Sequence, residues 1–144
     1  MPDELELAKL LYPKTWEEAK AFWEKNPDTG SLLDHAKSLN LFTKETYINA
    51  LEGCKASPGT GTVWDHGMAL MKYAHKYAEA LKASSENPGT GTVLDHAVMI
   101  VDFPEVYQAA LKRSKTHPEE GDVRRCGLLM LKAELDSGKP TAAS

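Results

Sequence analysis

The chain has 144 residues, 42% apolar and 26% charged, with 17 Lys plus Arg against 21 Asp plus Glu and a formal charge of −4. That apolar share supplies one continuous core at this length, which excludes a disordered polymer, and two cysteines exclude a disulfide-stapled miniprotein. The acidic balance excludes a general nucleic-acid binder, which needs a basic excess to neutralise phosphates.

The first residues, Met1-Pro-Asp-Glu-Leu-Glu-Leu, lack the basic and apolar regions of a signal peptide. No stretch reaches the roughly 18 apolar residues of a membrane span. Cys54 and Cys126 lie far apart without motif spacing and are expected to be reduced thiols, so a cytoplasmic, membrane-free protein is expected.

A short helix is predicted over residues 3 to 11. Thr15-Trp-Glu-Glu18 has the spacing of a capping box and is expected to open a second helix running to Lys25, carrying Trp16, Phe22 and Trp23. Residues 1–25 are thus read as N-terminal capping helices.

Repetition follows. Asn26-Pro-Asp-Thr-Gly-Ser-Leu-Leu-Asp-His35 recurs as Ser57-Pro-Gly-Thr-Gly-Thr-Val-Trp-Asp-His66 and as Asn87-Pro-Gly-Thr-Gly-Thr-Val-Leu-Asp-His96. A degraded copy is His117-Pro-Glu-Glu-Gly-Asp-Val-Arg-Arg-Cys126. The prolines fall at 27, 58, 88 and 118 and the glycines at 30, 61, 91 and 121, a period of 31, 30 and 30 residues. This places repeats at 26–56, 57–86 and 87–116, a degenerate C-terminal capping repeat at 117–136, and a disordered tail at 137–144. The period differs from the roughly 34 and 33 residues of tetratricopeptide and ankyrin units.

Each copy reads as a loop feeding a helix. Pro ends the preceding helix and Gly takes the turn. Ser31, Thr62, Thr92 and Asp122 stand as N-caps, with Asp34, Asp65 and Asp95 three residues on to complete the box and face the helix dipole. The small residues after the histidine position (Ala36, Gly67, Ala97, Gly127) predict a helix backbone passing close by. A second helix carries a shared Tyr-x-x-Ala-Leu beginning at Tyr47, Tyr77 and Tyr107. Its start is marked by Thr43 in the first copy and by Pro104 in the third. The middle copy has no breaker, so 62–84 reads as one uninterrupted helix. With no strand-like alternation anywhere, the predicted fold is all-α: short helical-hairpin repeats, about four units, packed as a small solenoid or compact bundle.

Three residue sets invite a functional reading. His35, His66, His96 and Cys126 recur at one position and are ligand types suited to zinc or another transition metal. Equivalent positions of an open array lie about 10 Å apart, so they share an ion only if the array closes. Otherwise they are packing residues, and no cofactor is expected. The loops Gly59-Thr60-Gly61 and Gly89-Thr90-Gly91, ahead of helix N-termini, suit an anion, although a tight turn with its cap explains the same residues. Trp64, Trp23, Tyr73 and Tyr107 are the candidate anchors for a partner, with Trp64 standing where the other copies have Leu33, Leu94 and Arg124. The Asp-His neighbours point about 100° apart on a helix and form no dyad, and no nucleophile or nucleotide motif is present. The expected function is a non-catalytic module binding another protein, as adaptor, inhibitor or immunity-type binder. The alternative is a small-ligand or metal-binding protein.

Overall fold

The computed structural model describes residues 3–138, so most of the tail expected at 137–144 lies outside the described residues. Nine α-helices and no strand are found among them: α1 (Glu4–Leu11), α2 (Trp16–Lys25), α3 (Leu32–Leu41), α4 (Lys44–Ala56), α5 (Val63–Lys72), α6 (Tyr77–Glu86), α7 (Val93–Asp102), α8 (Pro104–Thr116) and α9 (Val123–Ser137). The chain forms two compact units, Met1–Lys72 and Tyr73–Ser144.

In the N-terminal unit, α2 packs along α3 and α4 along α5, while α1, α3 and α5 lie side by side. The C-terminal unit repeats the plan: α6 packs along α7, α8 along α9, and α7 beside α9. The closest-packed hairpins therefore flank the Pro-x-x-Gly loops. The α2–α3 hairpin joins the N-terminal capping helices to the first repeat, and α4–α5, α6–α7 and α8–α9 each join the second helix of one sequence repeat to the first helix of the next.

Capping explains where the first helices begin. Ser31 and Thr92 form complete capping boxes with Asp34 and Asp95. Thr62 and Asp65 make the same exchange, the Thr62 N–H donating to Asp65 Oδ2 at 2.9 Å. Asp122 caps α9 by accepting from the Arg125 N–H. The next exposed donor, at the first residue of the helix, is met by the loop of the preceding repeat: Val63 N–H donates to the Thr29 carbonyl and Val123 N–H to that of Thr90, both at 2.7 Å. These bonds satisfy helix-end donors and dock one repeat on the next at once.

Three expectations need correction. Thr15 does not cap α2; its backbone sits at φ −120°, ψ −10°, and its hydroxyl donates instead to the Ala36 carbonyl at 2.9 Å, tying α2 to α3. The span 62–84 is not continuous, because α5 ends at Lys72 and a single 3-10 turn, Ala74–Lys76, precedes α6. No local breaker marks that point, and the Tyr73 hydroxyl is held by Asp102 at 2.9 Å. Finally, what crowds Gly67 and Gly127 is a side chain, not a helix backbone: the Phe42 ring in one case, the tip of Met99 in the other.

Candidate functional site

The repeated histidines are fully buried, His35, His66 and His96 each at 0% exposure. Each is met by the threonine of its own loop. Thr29, Thr60 and Thr90 lie 2.9 Å from the Nε2 atoms of His35, His66 and His96. The same hydroxyls donate to the carbonyls of Asn26, Ser57 and Asn87 at 2.7, 2.7 and 2.6 Å. A hydroxyl has one proton, and a carbonyl can only accept, so toward the histidine each threonine oxygen is the acceptor. Nε2 therefore carries the ring hydrogen.

Nδ1 of the neutral ring is then an acceptor, and it is met by a tyrosine of the second helix. Tyr47 Oη lies 2.7 Å from His35 Nδ1, and Tyr107 Oη lies 2.7 Å from His96 Nδ1. The order of donation is Tyr O–H to His Nδ1, His Nε2–H to Thr Oγ1, and Thr O–H to the loop carbonyl. One buried line of polar groups thus joins second helix, first helix and loop, with every member satisfied. Such networks stabilise when complete and are costly when broken.

Burial lowers the pKa of all three histidines, to about 4 for His66. For His35 the Asp34 carboxylate opposes this, and for His96 Asp95 and Asp122 do. Burial likewise pushes the Tyr107 hydroxyl up to about 12, with Glu79 adding to the effect, and Tyr47 moves the same way for the same reasons, there with Glu18. The neutral forms that the hydrogen bonds require are the forms burial favours.

The degenerate copy loses the line as a whole. Glu120 replaces the threonine and Cys126 the histidine. Glu120 turns to Arg113, accepting from Nη2 at 2.6 Å and from Nε at 3.1 Å. Cys126 fills the histidine's buried place.

For the metal set, both ring nitrogens of His35 and His96 are thus committed inside the repeat, and Nε2 of His66 is committed to Thr60. Among the described residues, the ligand grouping with donor atoms within 4.8 Å is a different one, His117, Glu119 and Glu120. For the loops, Gly59 and Gly89 adopt φ 85°, with Asp28 at φ 67° in the matching place, as a tight turn requires. The N–H groups of Thr62 and Thr92 already donate to Asp65 and Asp95. A turn and cap account for Gly59, Thr60, Gly61, Gly89, Thr90 and Gly91 without an anion.

The anchor set divides. Trp23 is exposed, at 38%. Trp64 is half-buried, stacked on Phe42 with centroids 5.2 Å apart and with Lys37 Nζ 4.0 Å from its ring centre. Tyr73 is half-buried and bound to Asp102. Tyr107 is 7% exposed and committed to His96, so it cannot serve as an exposed anchor.

The roles of the tyrosines and threonines go unread in the sequence, although the signal is there: a threonine six residues before each histidine, and the repeated Tyr-x-x-Ala-Leu after it. Equally unforeseen, Cys54 holds the place of a serine. Cys54 Sγ donates to the Gly61 carbonyl at 3.1 Å, as Ser84 does to Gly91 and Ser114 to Gly121 at 2.8 and 2.9 Å. Burial pushes the Cys54 thiol up to about 11, which leaves it unreactive at neutral pH. Cys54→Ser is accordingly expected to change stability by less than about 1 kcal/mol, as urea unfolding would show, because the hydroxyl makes the same bond.

Compared with protein-family profiles, curated proteins and solved structures, the chain matches none of them. No helix among the described residues is long and apolar enough to cross a membrane.

Proposed function

We propose that this protein is a non-catalytic helical-repeat module that binds another protein. The observation carrying this reading is how the side chains divide. The repeated His, Thr and Tyr residues, the chemically capable ones, are consumed in internal bonds. By contrast, large apolar side chains stand in solvent on regular helices: Leu10 at 76%, Leu11 at 58% and Leu41 at 51% in the N-terminal unit, Leu128 at 62% and Leu135 at 82% in the C-terminal one. A partner laid on these helices would bury such groups, and in protein interfaces a few side chains, tryptophans such as the exposed Trp23 above all, carry most of the affinity.

The test is a native mass spectrum of the full chain purified gently from its source, followed by reconstitution with the purified partner it reveals. The expected result is a stoichiometric protein complex that Leu41→Glu or Trp23→Ala weakens at least tenfold. A chain that carries a bound metal or organic molecule and no protein would contradict the reading. Metal retention through His35, His66 and His96 would require breaking the buried lines described above.

A further inference from the structure

In the N-terminal unit, Phe22 of α2 packs edge-on against Tyr47, with ring centroids 5.0 Å apart, in a cluster that includes Leu39. Lys44 at the start of α4 closes this packing. Its Nζ lies 5.2 Å from the Phe22 ring centre and 2.7 Å from Glu18 of α2. Aromatic ring, cation and carboxylate form one closed arrangement beside the tyrosine.

The C-terminal unit has the same framework, and its register is fixed by matching hydrogen bonds. Asn26 Nδ2 donates to the Phe22 carbonyl, and Asn87 Nδ2 donates to that of Ala83. Ala83 therefore occupies the place of Phe22. By the same register Glu79 stands for Glu18 and Ile100 for Leu39; the C-terminal copy is one residue shorter after its histidine, and the matching histidine bonds then set Tyr107 against Tyr47 and Pro104 against Lys44. Glu18 and Glu79 also act alike on their tyrosines, each raising the hydroxyl's pKa. The carboxylate and the floor are kept, but the phenyl ring and the lysine are gone.

What remains is an open groove of about 360 Å³ between α6 and α8, lined by Ala83, Ile100, Pro104, Tyr107 and Leu111, with two carboxylates, Glu79 and Glu86, and one cation, Lys82, among its polar groups. An apolar cavity of about 150 Å³ is enough to hold benzene, so there is room for a phenyl ring. Glu79 makes one long pair, with Lys76 at 3.8 Å, and Glu86 makes none among the described residues.

We infer that this groove takes a phenylalanine side chain, with a neighbouring lysine, from a partner polypeptide. The occupant's chemistry is read from the N-terminal unit, where this chain supplies the same two groups itself. The ring would cover Ala83 and Ile100 beside Tyr107, and the ammonium would lie over the ring and toward Glu79, a cation–π and ion-pair combination. The inference rests on the protein-binding reading above and specifies one surface for it.

The test uses the full chain and the probe acetyl-Lys-Phe-Lys-amide, followed by backbone and methyl NMR. The expected result is a saturable millimolar response centred on Ala83, Ile100 and Leu111, absent with acetyl-Lys-Ala-Lys-amide. Ala83→Phe, which rebuilds the filled arrangement, is expected to keep or raise the melting temperature and to abolish the response. Glu79→Gln, at the groove's edge, is expected to weaken it about threefold to fivefold, the range for an exposed ion pair. Absence of a response at the groove up to tens of millimolar, or an equal response to the alanine probe, overturns the inference. In that event the reconstituted partner complex still decides the broader reading, because a partner bound equally by wild type and Ala83→Phe uses another surface.

Discussion

Lowering the pH from 7 to 5 is expected to destabilise both units steeply. His35, His66 and His96 are neutral in the folded chain and have depressed pKa values, to about 4 for His66 against 6.5 when unfolded. Below 6.5 the unfolded chain binds protons that the folded chain excludes, so unfolding becomes easier as pH falls. The stability they contribute is complete above pH 6.5 and is lost as the pH drops toward the folded values. For His66 the full loss is about 3 kcal/mol, because each tenfold weakening of proton binding is worth roughly 1.4 kcal/mol. His35 and His96 are shifted in the same direction, so each adds to the loss in the unit that holds it. Urea unfolding followed by circular dichroism at pH 7 and pH 5 measures this. A midpoint unchanged between those values would mean the histidines are not held neutral by the fold.

Gly67→Ala is expected to destabilise the N-terminal unit by about 2–3 kcal/mol, although alanine is the better helix former by about 1 kcal/mol. A Cβ at Gly67 would meet the Phe42 ring, with Cζ at 2.6 Å and Cδ2 at 2.7 Å. That ring is only 7% exposed and is stacked on Trp64, so it has no free direction in which to move. Gly127→Ala is the control. Its Cβ would meet chiefly the tip of Met99, a flexible chain but one buried at 2%, so the helix preference offsets only part of the crowding and the change is expected to cost less than Gly67→Ala. Chemical denaturation of both variants tests the contrast. Adding Phe42→Leu to Gly67→Ala should recover part of the loss, whereas a lone Gly67→Ala as stable as wild type would contradict the packing.

Much of this architecture is legible in the residues because it is local. The N-caps at Ser31, Thr43, Thr62, Thr92 and Asp122 act within one turn of their helices, and Pro104 marks a helix start by backbone chemistry alone. Where the determinant is tertiary, the pattern misleads. Thr15 has the composition of a cap, yet its hydroxyl is taken by Ala36 on another helix. The break after Lys72 has no glycine or proline to announce it. The recurring histidine is visible, but a recurring histidine suits both a metal and a core. The distinction lies in partners six residues before and eleven or twelve after it, which sit in the loop and on the next helix, so no pattern within one helix reveals them. The groove at Ala83 is harder still to see, since it shows only when two repeats are laid on each other in a register their hydrogen bonds define.

The repeated histidines thus belong to the framework, each neutral with its hydrogen on Nε2, and everything proposed for the surface depends on their being so. Nitrogen-15 NMR of the imidazoles at pH 7, before and after one equivalent of zinc per histidine, reads that state at the atoms concerned. Three neutral Nε2–H rings are expected, with Nδ1 of His35 and His96 showing the shift of an acceptor, unchanged by the metal. Rings that are charged, that carry the hydrogen on Nδ1, or that move on adding zinc would contradict it.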